Sequence, residues 1–203
     1  MNNDSWVYAR LKSKLRDLLK RSDGLWEEMM QYSEVIELKR GDTLINHSEL
    51  NKCIYVVVKG IFECTLKTEQ NTHNLVWFFF DNAFSVILSM DSYCKDHKTK
   101  YEVIALEPSV VIKFEIEQIE HIKNSYKAFD EFQKNEIIDW FFNYFEIRNN
   151  LLALSPIAFL DYLETNYPSI PNRIPSHKLA HFMGITPEWL SKLKKRRQLQ
   201  FAG

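Results

Sequence analysis

The side chains best suited to chemistry in this chain lie close together near its C-terminus, where Ser176 to Arg197 reads SHKLAHFMGITPEWLSKLKKRR. Glu188 can accept a hydrogen bond from cytosine N4, and Lys192 can donate to guanine O6 and N7. Ser191 suits either a base edge or a phosphate. Lys194, Lys195, Arg196 and Arg197 suit phosphate neutralisation, which gives affinity without sequence choice. Glu188 and Lys192 also stand at i, i+4, so the plainer reading of that pair is a surface ion pair that steadies a helix.

These residues are useful only if something holds them on one face. Ser176 reads as the N-cap of a short helix, HKLAHFM, and Gly184 supplies a sharp turn, since glycine enters positive φ without steric cost. Thr186 then caps a second helix, with Pro187 at its first position and Glu188 at its positive end. Ala180 provides the small residue that a tight helix crossing needs. Leu179, Met183, Ile185, Leu190 and Leu193 provide the apolar residues that close the angle. The pattern predicts a helix-turn-helix whose DNA-contacting set is Thr186, Glu188, Ser191, Lys192, Lys194, Lys195 and Arg196. Trp189 is expected to pack against the body of the protein.

Charge supports this division. The 203 residues carry a net charge of −1. Residues 173–203 hold seven Lys and Arg against a single acid, Glu188. That surplus of six leaves the preceding residues at a net −7, so a basic end sits on an acidic body. Cys53, Cys64 and Cys94 form no CxxC or Cys/His metal spacing and read as reduced thiols in a cytoplasmic protein. No apolar run approaches the ~18 residues needed to span a bilayer. No Gly-rich phosphate loop, HExxH, GxSxG or paired-carboxylate motif appears, so an enzyme is not expected.

Ahead of this end the periodicity is mixed, which makes the chain α+β. Residues 5 to 20 carry Val7, Leu11, Leu15, Leu18 and Leu19 at helical spacing, and Trp26 to Tyr32 reads as a second helix. From Glu34 to Glu115 short β-branched and aromatic runs alternate with turns: CIYVVVKG, IFECTLKT, NLVWFFF, YEVIALE and SVVIKFE. Such spacing predicts a β-sandwich or barrel. Ser125 to Leu154 then reads as one long helix. Ile137, Trp140, Tyr144, Ile147, Leu151 and Leu154 recur at steps of three and four, the a/d seam of a paired helix. A second stripe, Ile138, Phe141, Phe145 and Leu152, lies beside it. Two stripes suggest one face on the β-domain and one on a second copy of the chain. The dimer contacts are assigned to Ile137, Trp140, Tyr144, Ile147 and Leu151. Ser155-Pro156 starts a further helix, and PSIPNRIP reads as a rigid connector.

With LKRGDTLI and IYVVVKG in a strand-rich domain, then a long helix, then MGITPEWLSKLKK, the chain resembles the Crp/Fnr superfamily of bacterial transcription regulators from about Glu34 to Arg197. The resemblance implies an N-terminal double-stranded β-helix (jelly roll) of cyclic-nucleotide-binding type, a long dimerisation helix and a C-terminal winged-helix-like helix-turn-helix. Only QLQFAG follows Arg197, so the wing is expected to be missing or vestigial. The implied domains are residues 1–124, 125–154 and 155–203. Glu188, Ser191 and Lys192 match the family's base-reading positions, with Lys192 where arginine is usual, and lysine lacks the bidentate fork.

The sensing end departs from the family. Members that bind cyclic AMP have a Gly-Glu pair and a later Arg-Ser or Arg-Thr pair. FFFDNAFSVILSMDSYCKDHKTKYEVIALE has neither. Phe84, Ser85 and Val86 stand near the glutamate position, and Thr99, Lys100 and Tyr101 near the arginine. A buried phosphate without a fixed cation is costly, so no response to cyclic AMP is expected and the effector is unassigned. No iron–sulfur cysteine cluster exists, His73 and His97 read as solvated, and Trp77 to Phe80 read as core. No cofactor is implied. The expected partners are double-stranded DNA, a second copy of the chain and RNA polymerase, with no membrane. The alternative is a ligand-binding regulatory module whose C-terminal helices contact protein.

Overall fold

The computed structural model describes residues 5–70 and 72–201, with side chains described as far as Arg196. Three helices open the chain: α1 (Ser5–Lys14), α2 (Arg16–Leu19) and α3 (Leu25–Tyr32). Strands follow: β1 (Glu34–Leu38), β2 (Thr43–Ile45), β3 (Cys53–Lys59), β4 (Ile61–Lys67), β5 (His73–Phe80) and β6 (Val86–Leu88). A short helix α4 (Met90–Lys95) leads into β7 (Tyr101–Ala105) and β8 (Ser109–Glu115). The remainder is helical: α5 (Ile116–Ser125), α6 (Lys127–Ala153), α7 (Pro156–Asn166), α8 (Ser169–Arg173), α9 (Ser176–Phe182) and α10 (Pro187–Phe201).

The strands form two antiparallel sheets, ordered β1-β8-β3-β6 and β2-β7-β4-β5. Between them lie Tyr55, Val57, Phe62, Cys64, Ile87, Val103, Ala105 and Val111, all buried in one cluster. This double sheet is a sandwich, one of the two forms the strand pattern predicts, in the jelly-roll arrangement that the resemblance implies. The chain crosses from one sheet to the other at Gly60, whose φ of +111° is open to glycine alone without strain. A Cβ there would also lie 2.0 Å from the Ser109 hydroxyl. The Gly60 N–H donates to Asp81 Oδ2 at 3.1 Å, which ties this turn to the end of β5.

The outer face of the first sheet is sealed by apolar packing. Ile54, Val58, Val110, Ile112 and Phe114 meet Val7, Leu11, Leu15, Leu25 and Met29 of the N-terminal helices and Ile119 and Ile122 of α5. Each such side chain contributes about 1.5–3 kcal/mol relative to exposure. The thiol of Cys64, buried between the sheets, is pushed up to about 12 by desolvation and stays a protonated apolar filler.

Several expectations are revised in detail. Residues 5 to 20 form two helices that divide at Leu15, because the backbone turns at that residue to keep both apolar faces on the sheet. The long helix begins only at Lys127, after Tyr126 turns to extended φ/ψ and separates it from α5. The connector PSIPNRIP contains α8, with Pro171 buried in it. Ser176 is the first residue of α9 and not its cap; the carbonyl of Pro175 accepts the first helical hydrogen bonds, at 2.9 and 3.0 Å. Where a wing hairpin would begin, α10 continues as helix to Phe201, and residues 202 and 203 lie outside the described residues. Among the described residues no helix is long and apolar enough to cross a membrane.

Candidate nucleic-acid interface

α9 and α10 meet around a turn built from backbone hydrogen bonds. Gly184 takes φ +68°, the Ile185 N–H reaches back to the Ala180 carbonyl at 3.0 Å, and the Gly184 N–H to His181 at 3.1 Å. This is the six-to-one closure of a helix that ends in a left-handed glycine. A Cβ at Gly184 would meet nothing within 4 Å, so the requirement there is conformational and not one of space. Leu179, Ala180 and Leu190 are wholly buried and Met183 and Leu193 nearly so, which fixes the crossing of the two helices.

α10 starts as the residue types demand. Thr186 Oγ1 accepts from the Trp189 N–H at 3.2 Å, and the Thr186 carbonyl from the Leu190 N–H at 3.0 Å. The carboxyl of Glu188 is held below its usual range by its own backbone N–H and the Thr186 hydroxyl, and less strongly by the charge of Lys192. Thr186, Glu188, Ser191, Lys192, Lys195 and Arg196 are exposed and Lys194 is half-buried. The structure therefore brings the whole expected DNA-contacting set onto one capped helix. Trp189, expected against the body, is instead 50% exposed on the same helix. The packing positions at Leu190 and Leu193 leave no inward place for it.

The unit is docked on the outer face of the second sheet. Phe182 packs edge-on against Phe78 and Trp77, with ring centroids 5.6 and 6.0 Å apart. Lys178 Nζ donates to Glu63, a buried carboxylate of β4. Arg173 Nη1 donates to Asp81 Oδ1 at 2.7 Å, and its Nη2 to Glu107. Burial works against the charge of Asp81, yet the Arg173 hydrogen bond, the Gly60 N–H and the nearby Arg10 outweigh it and hold its carboxyl low. Two of the seven basic charges counted at the C-terminal end are thus engaged by acids of the β-domain. Among the described residues of this end, Lys192, Lys194, Lys195 and Arg196 of α10 have no acid of the β-domain in an ion pair with them.

The long helix is two-faced. Ile147 is wholly buried, Leu151 packs on the main core, and Trp140 stacks on Tyr144 at 5.2 Å. Trp77 of β5 meets Tyr144, Phe84, Phe182 and Trp140 at 4.8 to 6.4 Å. The seam assigned to the dimer contacts, apart from the exposed Ile137, therefore faces the chain's own body. The neighbouring stripe is the uncovered one. Ile138 is 50% exposed, Phe141 55%, Phe142 66%, Phe145 53% and Leu152 79%.

Of the six residues of the expected effector pocket, Phe84, Ser85, Val86 and Thr99 are engaged in packing or hydrogen bonds of the fold. Phe84 joins the Trp77 cluster at φ +52°, the Ser85 carbonyl accepts from the Val57 N–H at 2.7 Å, and Val86 pairs with Val56 in β6. Thr99 is buried, exchanges backbone hydrogen bonds with Ser48 and Glu49, and accepts from the Tyr101 N–H at 3.1 Å. Lys100 is exposed and Tyr101 half-buried. An open cleft of about 200 Å³ lies elsewhere, between the second sheet and α9, lined by Glu63, Thr65, His73, Glu102, Lys178 and His181. Trp77 to Phe80 are all buried, as core residues should be. Among the described residues no group of His, Cys, Asp and Glu is arranged to hold a metal ion.

By sequence, no curated protein matches the chain. Solved structures similar to it in fold include the following three. CooA of Carboxydothermus hydrogenoformans aligns at TM-score 0.68 and 12% identity, covering 92% of this chain and 84% of that one. FixK2 of Bradyrhizobium japonicum aligns at 0.66 and 11%, covering 83% and 85%. The c-di-GMP responsive global regulator CLP of Xanthomonas campestris aligns at 0.60 and 12%, covering 88% and 93%. Residues 35–126, the double sheet with α4 and α5, match the family described as the cyclic nucleotide-binding domain, and most of the chain shares its fold with these three structures.

Proposed function

We propose that the chain is a homodimeric, sequence-specific DNA-binding transcription regulator of Crp/Fnr type that does not respond to cyclic AMP. The observation that carries this reading is α10: a capped helix on a glycine-turned hairpin, with Glu188, Ser191, Lys192 and Lys195 outward and, among the described residues, no acid of the β-domain engaging them. Its N-terminal turn enters the major groove, where Glu188 and Lys192 read base edges. Lys194, Lys195 and Arg196 neutralise phosphates. Dimerisation uses the uncovered face of α6, through Ile138, Phe141, Phe142, Phe145 and Leu152. This much exposed aromatic surface on one helix is what a second copy covers. Two-fold symmetry then sets the half-sites about 34 Å apart, one helical turn of DNA.

Against cyclic AMP stand Thr99 and Lys100, where a phosphate clamp would need a fixed guanidinium, and the Trp77 cluster packed between sheet and long helix. RNA polymerase is the natural further partner of such a regulator.

The test is a binding titration on a duplex selected from random DNA. Lys192→Ala weakens binding to the selected site by about ten-fold or more and binding to random DNA by far less. An equal loss on both removes its base-reading role. A steep fall of affinity with salt accompanies real phosphate contacts. Absence of affinity for every duplex would favour a module whose C-terminal helices contact protein.

A further inference from the structure

Resting on the DNA-binding reading, the geometry points to Trp189 as a groove-wall residue whose indole makes an apolar contact with DNA, to thymine methyl groups or to the deoxyribose edges beside them. The fold has no use for its exposure. The angle between α9 and α10 is closed without it by Leu179, Ala180, Met183 and Leu190. Among the described residues its ring has no stacking or cation–π partner. It is the largest apolar group left in solvent on this unit, at 50% exposure.

Its surroundings indicate what it meets. Trp189, Lys192 and Arg196 recur at i, i+3 and i+7, so they form one flank of the outward face of α10. The ring is therefore an apolar island bordered by cations. A protein core would leave those cations unpaired and buried at high cost. The wall of a major groove offers phosphates for the cations and methyl or sugar surface for the ring. The position is also prepared. Trp189 lies in the first turn of α10, the part of such a helix nearest the bases. Its N–H is held by Thr186 Oγ1 at 3.2 Å. With the backbone fixed, only the two torsions of the indole remain to be ordered, so contact loses little entropy.

The experiment uses the full chain and an end-labelled duplex carrying the selected site, read by fluorescence anisotropy. Trp189→Ala weakens binding about ten-fold, whereas Trp189→Phe, which keeps an apolar ring, stays within about three-fold. Trp189→Gln, of comparable reach but polar, behaves like the alanine variant and decides the matter if that variant folds poorly. Replacing half-site thymines one at a time by deoxyuridine distinguishes the two surfaces. If a methyl is the target, one substitution weakens the wild-type chain and leaves Trp189→Ala unaffected. If deoxyribose is the target, no single substitution matters and the alanine loss is the same on every sequence. A folded Trp189→Ala or Trp189→Gln chain that binds within two-fold of the wild type overturns the inference and leaves the DNA-binding reading intact. A wild-type chain that binds no duplex overturns both.

Discussion

The two sheets are covered in different ways, and the difference shows where charge enters the packing. The outer face of β1-β8-β3-β6 is closed by Val7, Leu11, Leu25, Met29 and Ile122, an apolar contact that water and salt do not weaken. Phe78 and Phe80 of β2-β7-β4-β5 share one buried cluster with Leu160, Leu163, Ile170, Leu179 and Phe182 of the C-terminal helices, and three carboxylates, Glu63, Asp81 and Glu107, face Lys178 and Arg173 there. Charged contacts of this kind are directional, screened by salt and dependent on pH. Both covers are apolar cores. The second also encloses charge.

Changes on the apolar cover have the largest expected effect. Ile112, wholly buried beneath the N-terminal helices, leaves a cavity when cut to alanine. Ile112→Ala lowers the stability of the whole chain by about 2–5 kcal/mol, read as a shift of the denaturant midpoint. The docked cover responds differently. Lys178→Met leaves the Glu63 carboxylate, whose side chain is 9% exposed, without its cation, at a cost of about 1–3 kcal/mol. Adding Glu63→Gln recovers most of that loss. If Lys178→Met alone were neutral, the two covers would not differ in kind.

Acid acts in the same direction. The carboxyl of Asp81 is lower in the folded chain than in the unfolded one. Its contribution is therefore present above the ordinary carboxylate range and is lost as pH falls through the depressed value. Proteolytic cleavage near residues 168–175 is expected to rise below about pH 4, before the apolar cover opens. The smallest effect is local. Gly184→Ala forces a Cβ into φ +68° and costs about 1–2 kcal/mol, with a matching loss of DNA affinity and no change at the first sheet.

What could be read from the sequence follows the range over which each signal acts. The turn at Gly184, the Thr186 cap and the inward Leu190 and Leu193 are local, and all stand as the residues imply. The strands longer than four residues were legible from alternation and β-branched runs. β6 and α4 were not, because three to six residues are too few to display a period.

The long helix is more instructive. Its two apolar stripes were visible, but a sequence does not say which of them meets the chain's own sheet. That depends on Trp77, which lies 63 residues before Trp140 and contacts it only after folding. In the same way Arg173 and Lys178 counted as free positive charge, since their acids are 92 and 115 residues away in the chain. Trp189 was misplaced for the opposite reason. A large ring beside Leu190 looks like core until the inward positions are seen to be filled.

The indole of Trp77 touches a ring from the long helix, a ring from the loop before β6 and a ring from α9 at once. A rotation of α9 and α10 against the sheet cannot leave that environment unchanged. The chain thus carries an intrinsic optical reporter of its own internal geometry, at a site buried from solvent and away from the cations of α10. Its emission can be followed while effector candidates are added, with no DNA present, in a chain whose four other tryptophans are replaced by phenylalanine.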